Sequence, residues 1–501
     1  MSEQNFIQGY VERFRDKHTI TVATGVTCSY LGDERNLREY LIADEVVKAL
    51  KAEGHVVHYF CFDDDLDPLN FRQLRVAVLK DPHLVSKYEP YCGKPVSDIR
   101  SPFDVDSTWS QYFEKQFSNR LASLDCHPNV ISVSRMYERG LYAPYIKQVL
   151  VHQDRIRGYL SENFPSYQPE KLFWAICPTC GYIDGTQIGK VGESGAEVIC
   201  QRCLCSTSVA FEELRGKLNW KLDCAARWAM FKVDAEPFSK AYLDPNAGSF
   251  FVARGLSKTF FGGSEVTPIQ YGSVTMPTSL SYKLMECLPA NVVRSLMIRH
   301  PRTDLDITEE RIITEANKVE VLPDLTFSSM VKQLLPAWSL DSQDLNASQR
   351  ELMIKGIAYA KFFERREVKP YLPNRGHLEG IPLDILRQIQ SVIQQVILHR
   401  KAFGMDYDSF VAPAKSAIER LGDQRREVTA QFRKIIGQEQ GVPNSRFLFL
   451  LPISYLMNLE SLIDLYISSK VVYANAVVQV SEPTPPPPLR VIAGERLATS
   501  P

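Results

Sequence analysis

Residues 19–27, TITVATGVT, form an unbroken apolar and β-branched run that closes on a glycine and gives way to turn-forming residues. This is the pattern of a central strand. From Asn36 the period changes: in LREYLIADEVVKALKAEGH, Leu37, Leu41, Val47 and Leu50 share one helical face, with Asn36 placed to cap the start and Gly54 the end. The next run, VVHYFCF, reads as a second strand that closes on Asp63, Asp64 and Asp65. A strand, helix and strand joined by a right-handed crossover require a parallel sheet, with a ligand crevice at the strands' carboxyl ends. That crevice is expected just after Gly25.

The 501 residues suggest about three domains. Basic residues number 58 and acidic ones 59, a net charge of −1, which excludes a globally basic nucleic-acid coat and a polyacidic tail. Any RNA must find a local positive patch. The first twenty residues lack a charged segment followed by an apolar core and a small-residue cleavage site, so secretion is not expected. The most apolar stretch, FLFLLPISYLM from Phe447, is shorter than the ~18 residues a membrane span needs and reads as a buried helix.

Five of the eleven cysteines crowd between Cys177 and Cys205. Cys177-Pro-Thr-Cys180-Gly and Cys200-Gln-Arg-Cys203 are two knuckles that can aim four thiolates at one tetrahedral Zn²⁺, and Gly181 permits the tight turn. Cys205 can replace Cys200 or Cys203 as a ligand, and reduced thiols without metal are the plain alternative. No nearby histidine or open position suggests a catalytic metal, so the zinc is expected to be structural, in a reduced, cytoplasmic protein.

Residues 111–164 look mainly helical. From about Leu352 apolar residues recur at helical spacing, among them Ile385, Ile389, Val392, Val396 and Ile397. A polyproline run at 485–488 marks an exposed tail. The boundaries expected are an α/β domain over 1–170 and 216–300, a zinc insert over 171–215, a junction over 301–350, a helical domain over 351–470 and a proline-rich tail over 471–501. The turn after the first strand is neither a Walker A loop nor a Gly-x-Gly-x-x-Gly fingerprint.

Several motifs nevertheless appear in one order: NLRE at 36–39, FDDDLDP at 62–68, GKPVSD at 93–98, MYERGLY at 136–142, the two knuckles, GKLNW at 216–220, ARWA at 226–229 and EPF at 236–238. AKFF at 360–363, VKPY at 368–371 and GQEQG at 437–441 follow. In these the chain resembles class I lysyl-tRNA synthetases along nearly its whole length. The resemblance implies a Rossmann-like catalytic domain with a zinc-ribbon insert and an α-helical anticodon-binding-like domain. It also implies that lysine is joined to ATP with Mg²⁺ and passed to tRNA, so tRNA and lysine or a related amino acid are the expected partners, with no membrane.

Two signatures of such enzymes depart from the pattern. The His-Ile-Gly-His-like tetrad falls on Asp33, Glu34, Arg35 and Asn36, of which only Asn36 fits. Like charge at ~4 Å from a phosphate costs about 1 kcal/mol in water and more where solvent is excluded, so ATP is expected to be disfavoured in the usual pose. The alternative is that Asp33 and Glu34 turn outward at the helix start. The second signature, Lys-Met-Ser-Lys-Ser-like, retains Met276 but has Thr275 and Leu280 at the lysine places and a stiffening Pro277. Gly25 and Thr27 fall at the family's lysine-contacting places, with Trp220 as the aromatic wall. Cys224 takes the place of a small polar or aromatic residue, and Tyr242 that of a histidine. Core packing is the plain alternative for Trp220 and Tyr242. For RNA, Arg365, Arg366 and Lys369 beside Phe362, Phe363 and Tyr371 form one patch, and Arg425, Arg426, Arg433 and Lys434 another. A lysine-tRNA ligase is thus one expectation. A non-catalytic relative that binds tRNA or an amino acid, and a biosynthetic enzyme using another amino acid or charged tRNA, are the others.

Overall fold

β1 (Thr19–Val26) and β2 (Val56–Asp63) pair in parallel from Thr19 opposite Val56 to Val26 opposite Asp63, and the Leu37–Ala52 helix crosses between them. Ile20, Val22 and Ala23 are buried in the strand; Leu37, Leu41, Val47 and Leu50 are buried on the helix. In this computed structural model the described residues are 3–340, 343–403, 407–438 and 444–480. They belong to two units, Met1–Val321 and Leu322–Pro501.

β3 (Asn129–Ser132) extends the sheet beyond β2, interrupting the helices of the 111–164 region; four residues are too few to show an alternating pattern. After the insert come the Trp220–Phe231 helix, β9 (Ala235–Ser239) and β10 (Thr267–Tyr271), which complete a parallel sheet of order β10-β9-β1-β2-β3. The chain leaves β1 towards one edge and returns on its other side at β9. The strand order reverses there, and the carboxyl ends of β1 and β9 diverge to leave a crevice.

One capping expectation is corrected. Asn36 makes no side-chain cap bond; Glu34–Asn36 form a 3-10 turn instead, whose cap is Asp33, accepting from the Arg35 N–H at 2.9 Å. Gly54 does follow the helix end, at φ +90°, where only glycine is unstrained.

Within the insert, β4 (Phe173–Ala175) pairs antiparallel with β8 (Gly216–Leu218). Between them β5 (Thr186–Val191), β6 (Gly195–Cys200) and β7 (Ser206–Ala210) form an antiparallel three-stranded sheet. Further on, the short β11 (Val274–Thr275) pairs with β12 (Leu305–Asp306).

The second unit is mainly helical. Ile385, Ile389, Val392 and Val396 are buried on the Leu383–Phe403 helix, and Ile397 is half-buried. The apolar stretch at Phe447 is buried but is not one helix: Asn444–Leu450 ends before Pro452, which disfavours helical backbone in the residue before it, and Ile453–Val480 begins after it. The last helix runs past residue 471 into the stretch read as tail, because no proline or glycine stops it before 480. Gly441 and the 485–488 proline run lie outside the described residues. Among the described residues no helix is long and apolar enough to cross a membrane.

Candidate active site

At the carboxyl ends of β1 and β9 lies a cavity of about 410 Å³. Gly25, Thr27, Trp220, Cys224 and Tyr242 all line it, so residues drawn from three separate sequence segments meet around one cavity. A Cβ on Gly25 would find no atom nearer than the Phe62 carbonyl oxygen at 3.9 Å, so glycine here leaves room in the cavity rather than relieving a clash. Thr27 Oγ1 donates to Asp67 at 2.7 Å. Trp220 and Tyr242 meet edge to face at 5.8 Å and are 41% and 44% exposed, which makes them the mouth and not core packing. Cys224 is buried, its Sγ 3.9 Å from Glu236.

Two residues that the sequence reading did not single out dominate the chemistry. Glu39, in the first turn of the Leu37–Ala52 helix, accepts from the Tyr271 hydroxyl at 2.8 Å; Glu236 on β9 accepts from the Trp228 indole N–H. Both line the cavity with Asp64 and Arg227. Burial pushes the Glu39 carboxyl up to about 8, against its hydrogen bond from Tyr271, and the nearby Glu236 adds to the shift. Glu236 itself is pushed up to about 7, again first by burial. Both lie inside motifs that carry the family resemblance, NLRE and EPF, which was the available signal.

A second cavity of about 530 Å³ adjoins the first and shares Tyr30, Asn36, Gln73 and Tyr242 with it. Asp33 and Arg35 line it as an ion pair, 2.6 Å between Arg35 Nη2 and Asp33 Oδ2. Burial opposes ionisation of Asp33, but the Arg35 hydrogen bonds prevail and hold its carboxyl below the usual range. Glu34 behaves otherwise. It is fully buried and accepts from the backbone N–H groups of Leu284 at 2.8 Å and Met285 at 3.0 Å. The expected pair of carboxylates facing a nucleotide is therefore one carboxylate, already paired. The outward alternative fails for Glu34 as well, because it turns into the protein where two donors await it.

The second signature segment reaches the second cavity only at its start, through Ser273 and Val274. Thr275 bonds to Asp306 at 2.8 Å across the β11–β12 pair, Met276 is buried, Pro277 is exposed, and none of the three lines a cavity. Lys283 pairs with Glu286 at 2.6 Å. Glu34 thus ties the turn after β1 to the segment just past the signature, and Asp33 adds a contact from Ser281 Oγ at 3.4 Å. Substituting Glu34→Ala leaves two N–H groups without their acceptor and is expected to destabilise the fold by about 1–3 kcal/mol. Hydrogen exchange of the Leu284 and Met285 amides should accelerate; unchanged exchange would mean that the tie is not what holds this segment.

In the insert, the sulfurs of Cys177, Cys180, Cys200 and Cys203 all lie within 4.8 Å of one another. Cys177 and Cys203 are 3.6 Å apart, Cys180 and Cys200 3.7 Å. A tetrahedron of thiolates at Zn–S of ~2.3 Å has S···S edges of about 3.8 Å, so the set fits zinc. Gly181 takes φ +74° in the first knuckle. Cys205 stands 3.4 Å from Cys177 and 3.3 Å from Cys203, close enough to exchange with Cys203 as ligand.

Of the RNA-patch candidates, Phe363 is buried and Tyr371 donates to the Ile435 carbonyl at 3.0 Å, so both serve packing. Arg366 is paired with Glu364 at 2.6 Å. Arg425, Arg426 and Lys434 stand exposed on the Arg425–Ile435 helix, and Arg433 is half-buried.

A model of the family described as tRNA synthetases class I (K) matches residues 5–320. A lysine–tRNA ligase of Methanosarcina barkeri is 30% identical over 298 residues, 56% of this chain and 52% of the relative. Another from Thermoplasma acidophilum is 26% identical over 329 residues, 62% of each chain, and one from Methanococcus maripaludis is 25% identical over 417, covering 79% and 72%. The chain spans about half the length of the first of these. Among solved structures, a Mycobacterium tuberculosis methionyl-tRNA synthetase bound by methionyl-adenylate is similar at TM-score 0.36 and 11% identity, over 90% of this chain and 91% of that one. The family match covers the parallel sheet, both cavities and the cysteine insert: this chain belongs to the class I (K) tRNA synthetases.

Proposed function

We propose that this protein is a lysine-tRNA ligase-like protein whose first cavity binds lysine or a closely related cationic amino acid. One observation carries the reading: Glu39, held by Tyr271, and Glu236, held by Trp228, present two half-buried carboxylates to the same cavity as Asp64. A buried carboxylate without a cation is unfavourable, and a ligand ammonium supplies the missing charge. The aromatic mouth of Trp220 and Tyr242 suits the aliphatic stem. ATP with Mg²⁺ belongs in the adjoining cavity, beside Asn36, and transfer to tRNA would complete the ligase activity. The exposed arginines of the Arg425–Ile435 helix support contact with an RNA backbone. Eleven free thiols agree with a cytoplasmic protein and a structural zinc.

Calorimetric titration with lysine, arginine and norleucine tests the pocket: lysine alone should bind, and equal binding of norleucine would refute the role of the carboxylates. Lysine-dependent pyrophosphate exchange then tests activation. The tie between Glu34 and Leu284 favours a second reading, a non-catalytic relative that binds lysine and tRNA, for which exchange stays at background while salt-dependent tRNA binding persists.

Lysine binding should depend on pH. Glu39 and Glu236 are raised to about 8 and about 7, so protons compete with the ammonium as pH falls through that window. Affinity is expected to drop by about tenfold or more from about pH 8.5 to about pH 6, where lysine's own side chain stays charged. A flat profile would remove both carboxylates from the contact.

A further inference from the structure

We propose that Cys203 and Cys205 form a hydroperoxide-reactive dithiol on the rim of the zinc centre, a modification site whose oxidation releases the metal. The proposal rests on the structural zinc read above and assigns the fifth thiol a task of its own.

Five thiols crowd where a tetrahedral ion takes four. Cys177, Cys180, Cys200 and Cys203 complete the set, which leaves Cys205 spare, yet its sulfur lies 3.3 Å from that of Cys203 and 3.4 Å from that of Cys177. A spare thiol packed this close to two ligands is within reach of bonding to either. Access decides between them. Cys203 is the one exposed cysteine of the eleven and Cys205 is half-buried, whereas Cys177 is buried. Cys177 is also held in its knuckle: its N–H donates to the Tyr182 carbonyl at 2.8 Å, its carbonyl accepts from the Gly181 N–H at 2.9 Å, and its sulfur accepts from the Cys180 N–H at 3.5 Å.

Cys203 sits instead in the loop from β6 to β7, which the Cys200 N–H closes on the Cys205 carbonyl at 2.9 Å. Leu204, between the two cysteines, is 87% exposed and takes φ +60°, a left-handed conformation that turns the chain sharply within one residue. A disulfide needs about 2.05 Å between its sulfurs, so the pair has to close by about 1 Å in an exposed loop.

The chemistry balances with a hydroperoxide as oxidant. The Cys205 sulfur attacks the terminal peroxide oxygen, the O–O bond breaks, and the leaving oxygen departs as water or an alcohol with the thiol's proton, which leaves a sulfenic acid. The Cys203 sulfur then attacks the Cys205 sulfur; the S–S bond forms, the S–O bond breaks, and the hydroxide released takes a proton from solvent to become water. Two electrons have passed from the two sulfurs to the peroxide. Three thiolates then remain of the four that held the metal, and the centre gives it up.

The test follows zinc release from the full-length, zinc-loaded protein under hydrogen peroxide with a chromogenic chelator, and the mass of the tryptic peptide 203–215, which begins after Arg202 and holds both cysteines. Peroxide is expected to release the zinc and leave that peptide lighter by two hydrogens, and a dithiol reductant with added zinc should restore both. C205S should carry zinc as the parent does and release it about tenfold or more slowly, since the thiol that takes the oxygen is gone. Release at the parent's rate in C205S, or zinc retained by the parent under peroxide, overturns this inference and leaves the structural zinc standing. C205S isolated without metal makes Cys205 a ligand and overturns it as well. A peptide cross-linked through Cys177 gives the disulfide to the other neighbour and overturns the assignment of Cys203. Parent protein without zinc overturns both this inference and the zinc reading beneath it.

Discussion

Replacing Glu39 by glutamine is expected to weaken lysine binding by about a hundredfold, since removing one partner of a buried charged contact costs about 2–5 kcal/mol. Glutamine keeps an acceptor oxygen for the Tyr271 hydroxyl, so the site retains its shape and loses only its charge. Stability should move the other way. The folded-state carboxyl is raised by burial to about 8, above its unfolded value, so the folded protein holds this proton more tightly than the unfolded chain does. Its destabilising contribution is absent at acid pH, grows as pH rises from the unfolded value, and is complete above about 8. Glu39→Gln should therefore match the parent at about pH 4 and exceed it at about pH 8 by roughly 1–2 kcal/mol, a value discounted for the part of Glu39 that faces the cavity. Tyr271→Phe is the companion: it removes the hydrogen bond, keeps the charge and should cost much less affinity. Lysine binding unchanged in Glu39→Gln would place the ammonium somewhere else.

The other large effect is expected at the cysteines. Metal analysis should find one zinc per chain, and Cys177→Ser should lose it. Structural zinc contributes about 10–16 kcal/mol of apparent binding energy in small zinc domains, so the loss should unfold the insert. Because β4 and β8 close its base, the parallel sheet should survive while the melting temperature drops by roughly ten degrees or more. Cys205→Ser should keep the metal, since four thiolates remain in tetrahedral reach. Retention of zinc in Cys203→Ser together with its loss in Cys205→Ser would exchange the two as ligand. Undiminished zinc in Cys177→Ser would contradict the whole assignment.

The elements legible in the sequence were those with local signals. An unbroken apolar, β-branched run giving way to a 3.6 period and then to a second such run marks β1, the Leu37–Ala52 helix and β2, because a central parallel strand is buried on both faces while a helix buries one stripe. The two knuckles were legible because a tetrahedral metal needs ligands at fixed short spacing. The four-residue β3 was not, and Pro452 divided an apolar run that composition alone presented as continuous.

The site was legible in part. Gly25, Thr27, Trp220, Cys224 and Tyr242 came from the resemblance, and the fold sets all five around one cavity. Glu39 and Tyr271 are 232 residues apart, and no periodicity links them. Only the return of the chain to the other side of β1 brings β10 beside the helix that carries Glu39.

By itself the sequence determined a parallel α/β core and a cysteine-rich insert, because hydrophobic period and ligand spacing act over a few residues; membership of a family came from the ordered motifs and the family match. The tertiary structure alone decided the direction of the charges. Asp33 and Glu34 are adjacent carboxylates at a helix start, equivalent in any sequence reading. One faces a cavity and is neutralised by Arg35; the other turns inward because the fold delivers the Leu284 and Met285 N–H groups to it. A buried carboxylate points to whichever donors surround it, and those donors arrive from distant parts of the chain.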